Sequence, residues 1–260
     1  MVELLVGAQI FDRLAQHRLE RPRRAAALLV EQGYDLERIA QEIEAWDADV
    51  VLLQEVDRHR ARTTYDDQPA ELAARLDMNV AFGSNVVRPP AASGRQEQEY
   101  GTAILTRFPI HSRSNVALPN QPGLEQRGLL RVTLRIAGLW VDVYGTHLQH
   151  TRGNIRIEQM RAIKDAVADD LRPHLLGGDL NAEPDSPALT IAGSFLADPW
   201  AEVGDGPGLT VPAAVPHRRI DYVLHSDDWV PTAATTLLSG VSDHRAVKVE
   251  FDLPLPHRCH

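Results

Sequence analysis

The 260-residue chain has one cysteine, Cys259, so no disulfide can form within it and no redox compartment is excluded. Aromatic residues are scarce, at 5%, and the formal charge is -9 at pH 7. Both features discourage extended tracking along a nucleic acid, which relies on stacking platforms and a basic groove. Long apolar runs are missing too: no stretch approaches the ~18 to 20 residues of a membrane span. The opening "MVELLVGAQIFDR" carries an acid at Glu3, no basic n-region and too short an apolar run for a signal peptide, so a soluble, cytoplasmic protein is expected. The closing "HRCH" has groups that can chelate a metal, but a solvated tail is the commoner fate of such an end.

What is present is the material of a folded core, with 43% hydrophobic and 24% charged residues. No composition break marks a linker, and a single domain over residues 1–260 is expected. In "DLERIAQEIEAW" (35–46), Leu36, Ile39, Ala40 and Ile43 share one helix face, and Asp35 can cap the first turn. Val50 to Leu53 then form the short apolar run of a strand covered on both faces, followed by Glu55. A short helix is expected at 69–77 and a strand in "GTAILTRFPI", stopped by Pro109. Strands at 128–136 and 139–146 turn at Gly138, and a helix over about 153–171 precedes the strand that ends in "LLGGD". Later strands are expected at 220–225 and 245–251, and long loops at 84–100 and 112–127. Helix, strand and acid thus recur, ending at Glu55 and at Asp179, which hints at two similar halves.

Polar groups stand where these apolar strands begin or end: Glu55, His147, Asp179 with Asn181, Asp221, and Asp243 with His244. Asp179 and Asn181 are two apart, so on an extended stretch they leave one face and can share a ligand, be it metal or phosphate; a plain loop is the other reading. Singly, an acid at a strand end is most often a turn former or helix cap, and a lone histidine a hydrogen-bonded structural residue. Together, oxygen ligands plus histidines fit a hard divalent ion with a general base beside it.

The ordered motifs "LLQEVD", "YGTAILTRFPI", "YGTHLQH", "GGDLNAEP", "RRIDYVL" and "SDHRAV" resemble those of the endonuclease/exonuclease/phosphatase superfamily over roughly residues 35 to 251. That group includes DNase-like and apurinic endonucleases, neutral sphingomyelinases and inositol-phosphate phosphatases, and "GTHLQH" is closest to its sphingomyelinase-like and bacterial hydrolase branches. The resemblance implies a four-layer α/β/β/α sandwich, two mostly antiparallel sheets face to face with helices outside and a site at one edge. It also implies roles. Glu55 binds Mg²⁺, Asp179 and Asn181 position the attacking water and a phosphate oxygen, and Asp243 helps hold metal or its waters. Asp221 orients His244 as base, and His147 hydrogen-bonds a phosphoryl oxygen. Mn²⁺ is the alternative cation.

The family opens on a strand ending in asparagine, a further metal ligand. Here residues 1–34 diverge, and Gln9, one methylene longer, is the nearest amide. Residues 13–24, "RLAQHRLERPRR", bring five arginines that read as a solvated helix face or as a patch for substrate phosphate or lipid. Arg95, Arg127, Arg152 and His217 lie in or beside the loops flanking the motifs and are candidates for phosphate binding. The leading expectation is a Mg²⁺-dependent phosphodiesterase or phosphatase acting on a small phosphorylated metabolite or lipid head group. The alternatives are a DNA or RNA endonuclease, and a metal-deficient binding protein or member recruited to other chemistry.

Overall fold

In the computed structural model, which describes residues 1–9, 35–168 and 170–254, the apolar run 50–53 divides by parity. Val50 and Leu52 enter one core with Leu4, Ile104, Val143 and Leu175, while Val51 and Leu53 enter another with Ile39, Ile43 and Leu72. A strand alternates its side chains between faces, so this run is apolar throughout because both faces are covered. The strands are β1 (Val2–Gln9), β2 (Val50–Arg58), β3 (Asn79–Arg88), β4 (Gln98–Thr106), β5 (Ile110–Ala117) and β6 (Gly128–Ile136). They continue with β7 (Leu139–His147), β8 (His174–Asp179), β9 (Asp221–His225), β10 (Val230–Leu237) and β11 (Ala246–Asp252). The helices are α1 (Leu36–Trp46), α2 (Gln68–Leu76), α3 (Gly153–Val167), α4 (Pro187–Ala192) and α5 (Pro199–Val203).

These strands form a six-stranded sheet in the order β10-β11-β1-β2-β4-β3 and a five-stranded sheet in the order β5-β6-β7-β8-β9. Only β1 with β2 and β7 with β8 run parallel, and a helix, α1 or α3, lies in each of those connections. The run β11-β1-β2-β4 and the run β6-β7-β8-β9 therefore repeat one pairing pattern, which is the physical form of the two halves hinted at by the sequence. The sheets pack face to face over an apolar layer that includes Leu130, Val132, Val223, Val249 and Phe251. Helices α1 and α2 cover the outer face of the larger sheet, and α3 and α4 that of the smaller, where Met160, Ile163 and Ala188 meet Leu176 and Tyr222. The four-layer sandwich with mostly antiparallel sheets is the observed architecture. No described helix is long and apolar enough to cross a membrane.

Helix α1 begins as its sequence implies, with the Asp35 side chain accepting from the Arg38 amide at 3.1 Å. Several boundaries differ from expectation. The stretches 84–100 and 112–127 are loops only in part, because β3 runs to Arg88, β4 starts at Gln98 and β5 occupies residues 110–117. Strands β3, β5 and β10 are three of the four sheet edges, where polar residues are tolerated and blunt further pairing, so their sequences lack an apolar signature. The fourth edge, β9, is buried throughout. Helix α3 stops at Val167, short of 171. Helices α4 and α5 were not anticipated, although each has a cap, Ser186 or Asp198, followed by proline. The arginine-rich segment 13–24 and Cys259 lie outside the described residues.

On the outer face of β7, Asp142 is fully buried and accepts from Arg131 at 2.7 Å, Arg172 at 2.9 Å and Thr133. A cavity of about 230 Å³ lined by Arg131, Thr133 and Arg172 opens beside it. Burial pushes the Asp142 carboxyl up, but Arg131 and Thr133 outweigh it and hold the group below the usual carboxylate range. A carboxyl held down in the fold stabilises above its unfolded pKa, and that contribution disappears as pH falls through the folded one. Asp142→Asn is therefore expected to lower unfolding stability by about 2 kcal/mol near neutral pH, since the carboxylate is buried but its guanidinium partners are partly exposed and screened. In urea titrations the difference should shrink as pH falls below the ordinary carboxylate range; an undiminished loss there would assign the effect to packing instead.

Candidate active site

Two backbone irregularities set the site. On β2 the pairing with β4 slips between Leu53 and Val56, and Glu55 adopts φ 59, in the left-handed region. Val56 rejoins the outer core with Leu53, three residues on rather than two, so the stretch holds one extra residue and Glu55 is turned out of the alternation. On β8, Gly178 has φ 146, and a Cβ there would lie 1.8 Å from the Thr146 carbonyl oxygen. Only glycine lets β8 approach β7 so closely just before Asp179.

Strands β7, β8 and β9 then end in register. His147 pairs with Asp179, and Asp179 with Asp221, which sets these residues in a row at one edge of the sandwich. His244 comes from the loop before β11, and its Nδ1 is 2.8 Å from Asp221 Oδ2. That loop is tied down: Ser242 Oγ accepts from the His244 amide, Ser239 Oγ accepts from the Ser242 amide, and the Ser239 hydroxyl donates to Glu42 of α1 at 2.8 Å. Asp179 Oδ1 accepts from the Asn181 amide at 2.8 Å, and Asn181 Nδ2 donates to the Leu148 carbonyl at 3.0 Å. The second bond orients the Asn181 amide and offers its oxygen to a ligand. Asn181 itself sits at φ 49, the turn conformation that asparagine tolerates better than most residues.

His147 is 3% exposed, and its Nδ1 lies 2.9 Å from Arg127 Nη1. A guanidinium only donates, so Nδ1 is the acceptor and the proton sits on Nε2, 3.5 Å from Asp179 Oδ2. Burial, then the charge of Arg127, pushes His147 well below the ordinary histidine range, which keeps it neutral. Asp179 is raised to about 7 by burial and by the Asp221 charge. Burial would lower His244, but the Asp221 carboxylate and its hydrogen bond, with help from Asp179 and Asp243, push it up to about 10.

Asp179, Asp221 and His244 offer ligand atoms all within 4.8 Å of one another. Asp221 Oδ1 is buried with no hydrogen-bond partner among the described residues. Carboxylate oxygens so placed fit a hard divalent cation. Glu55, 9% exposed at the bulge of β2, is outside that tight trio. Asp243 is exposed, and its carbonyl accepts from the Ala213 amide. Gln9 pairs with Gln54 at the end of β1, so the opening stretch is a strand of the larger sheet.

The expected phosphate-binding groups are distributed differently. Arg127 is buried, bonded to His147 and ion-paired with Glu125 at 2.9 Å. Arg95 lies over the Tyr65 ring at 3.8 Å, Arg152 takes the N-cap position of α3, and His217 is exposed in the turn that follows Val211. Sequence reasoning missed Arg156 and Gln159 on α3. Arg156 Nη1 donates to the carbonyls of Gln149 and His150 at 2.8 and 3.0 Å, and Gln159 Oε1 accepts from the Gln149 amide. Together they pin the "HLQH" loop; the available signal was Gln159, a polar residue on the apolar face with Ile155 and Met160. Tyr100 was also missed: burial, then the Glu55 charge, raises it well above the ordinary tyrosine range.

Residues 31–244 match the family model described as Endonuclease/Exonuclease/phosphatase family, and the chain belongs to that family of phosphoester-cleaving hydrolases. An endonuclease/exonuclease/phosphatase from Beutenbergia cavernae DSM 12333 is similar, with 27% identity and TM-score 0.75 over 97% of this chain and 72% of that one. The mannosyl-6-phosphatase Bt3783 of Bacteroides thetaiotaomicron VPI-5482 has 15% identity and TM-score 0.72, covering 97% of this chain and 100% of its own. The human Nocturnin catalytic domain, solved with a bound sulfate anion, has 20% identity and TM-score 0.69 over 96% and 93%. These last two likenesses show a shared fold. A comparison with curated protein sequences found no match.

The raised Asp179 carboxyl has a consequence for stability. In the fold it keeps its proton to about 7, whereas unfolded it releases it near 3.8, so its ionisation destabilises the metal-free protein as pH rises between those values. Asp179→Asn is expected to raise the melting temperature in EDTA at about pH 8, with the gap closing towards about pH 4. A variant that melts below wild type at the higher pH would show that the bonds of Asp179 outweigh its charge.

Proposed function

We propose that the chain hydrolyses phosphoric esters with a divalent cation, Mg²⁺ or alternatively Mn²⁺, and that its substrate is a small phosphorylated metabolite or lipid head group. The observation that carries this reading is the row His147, Asp179 and Asp221 across three adjacent strand ends, with His244 bonded to Asp221 at 2.8 Å. In this reading residues 1–260 act as one catalytic domain.

A phosphoester resists water because its anionic oxygens repel the nucleophile. Glu55, with Asp243 and Gln9 and with the unbonded Oδ1 of Asp221, would hold the cation, which when bound neutralises charge on the phosphate as a Lewis acid. The carboxylates raise His244 to about 10 in the metal-free site, and it is neutral once a bound cation offsets their charge. As general base it has Nδ1 committed to Asp221, so Nε2 takes the proton from water, and the carboxylate steadies the imidazolium that forms. Asp179 and the Asn181 amide oxygen, each held by a backbone bond, orient that water against the phosphate. His147, kept neutral with Nδ1 on Arg127, donates its Nε2–H to a phosphoryl oxygen. The net charge of -9 favours a small substrate over an extended nucleic acid, whose affinity is supplied mostly by cations on phosphates.

The test combines metal calorimetry with turnover of bis-p-nitrophenyl phosphate in wild type, Glu55→Gln and His244→Gln. Glu55→Gln should lose Mg²⁺ binding and turnover together, while His244→Gln keeps the cation and loses about 10² to 10⁴ in rate. Plasmid nicking without turnover of the small diester would move the reading to a nuclease. Folded wild type with no Mg²⁺ or Mn²⁺ dependence in either assay would move it to a binding protein.

A further inference from the structure

The loop that follows His147 is tied to the row of strand ends and to one charged side chain. Leu148 makes the first tie: its amide donates to the Asp179 carbonyl at 2.9 Å, and its own carbonyl accepts from Asn181 Nδ2 at 3.0 Å. The next two carbonyls, of Gln149 and His150, both accept from Arg156 Nη1 of α3, at 2.8 and 3.0 Å. The guanidinium therefore holds the two residues directly after the one that Asp179 and Asn181 share. That clasp uses both Nη1 protons. The Nε–H and the Nη2 protons, the edge that meets a carboxylate or phosphate in paired bonds, have no partner among the described residues.

A second arginine comes within reach of the first from a different segment. Arg218 lies in the stretch that leads into β9, bridged to Val211 and bonded through its carbonyl to the Thr210 amide at 2.7 Å. Its Nε donates at 3.0 Å to Glu183, two residues beyond Asn181, and both side chains of that pair are exposed. The Tyr222 hydroxyl joins the two segments, 2.9 and 3.0 Å from the carbonyl oxygens of Ala182 and Arg219. Burial, then repulsion from Arg218, holds the Arg156 guanidinium below the ordinary arginine range, and the pull of Asp179 does not restore it. Arg156 makes no ion pair among the described residues, so like charge outweighs opposite charge around it. An amide would serve the two carbonyls with as many protons and no charge to desolvate. A half-buried guanidinium kept there without a carboxylate has its charge free for an incoming anion.

We propose that Arg156 and Arg218 clamp a second anionic group of the substrate, a carboxylate or a further phosphate, beside the phosphate that is cleaved. The inference rests on the phosphoester reading, in which the cleaved phosphate lies at Asp179 and Asn181. Arg156 is placed by its clasp before a ligand arrives, so binding loses little side-chain entropy there. Arg218 exchanges Glu183 for the ligand, and an exposed ion pair holds it only weakly. Charges act on one another appreciably within a Debye length, ~10 Å, a span that a chain of about five carbons covers.

The probes are pentylphosphonate, 5-phosphonopentanoate and pentane-1,5-bisphosphonate, titrated calorimetrically into the Mg²⁺-loaded protein with Mg²⁺ in excess. Wild type should bind at least one of the two-headed probes about tenfold more tightly than pentylphosphonate, and the tighter of them identifies the second group as carboxylate or phosphate. Arg218→Gln, which removes an exposed side chain, should shrink that gap to about twofold, and Arg156→Gln should shrink it likewise. The control is Arg113→Gln, at an exposed position of β5, which lowers the overall charge equally and should preserve the gap. A gap absent from wild type, surviving either site substitution or lost equally in the control would overturn the clamp, as would no binding of any probe. A gap closed by Arg218→Gln in a protein that does not turn over bis-p-nitrophenyl phosphate would keep the clamp and reject the hydrolase reading.

Discussion

The structure depends on how closely the two sheets approach at one edge. Inside the sandwich, Leu52 and Ile104 of the larger sheet face Gly145 of β7, where an added Cβ would lie 3.2 Å from Leu52 and 3.4 Å from Ile104. That contact is apolar and leaves no room for water. Two residues further along β7 stands His147, and three further along β2 stands Glu55. The apolar layer therefore ends abruptly and the next layer is polar. Glu55, His147, Asp179, Asp221 and His244 are nine-tenths buried or more, because the sandwich walls are already in contact beneath them.

This placement explains the electrostatics. Two carboxylates crowded into a buried row cannot both ionise freely, so Asp179 is raised, while their negative charge favours the imidazolium of His244 and raises that group too. The protein keeps the arrangement with neutral or opposite-sign supports: Arg127 behind His147, the Asn181 amide behind Asp179, and serine hydroxyls behind the His244 loop. Groups arranged against their own solvation are a cost to folding and a resource for chemistry, since a ligand of opposite charge relieves them.

The same geometry decides what could be read in the sequence. Val50 to Leu53 and Leu175 to Leu176 announced central strands because both faces are covered, and the polar residues that end those runs announced the site. Glu55, His147, Asp179, Asp221 and His244 were legible for that reason. Strands β3, β5 and β10 were not, because an edge strand need not be apolar. The role of Arg127 was hidden as well. Its sequence neighbourhood is that of a loop, yet it folds inward to a histidine twenty residues on, a contact with no local signature. Arg156 and Gln159 are helix residues whose function is to bind loop carbonyls, and only the burial of a glutamine on an apolar face betrays them.

Substrate choice is the least legible feature, and the fold says why. Strand ends arrive in register whatever the loops contain, so the row of His147, Asp179 and Asp221 is a property of sheet topology and tolerates large changes elsewhere. Specificity must come from groups that the sheets do not dictate.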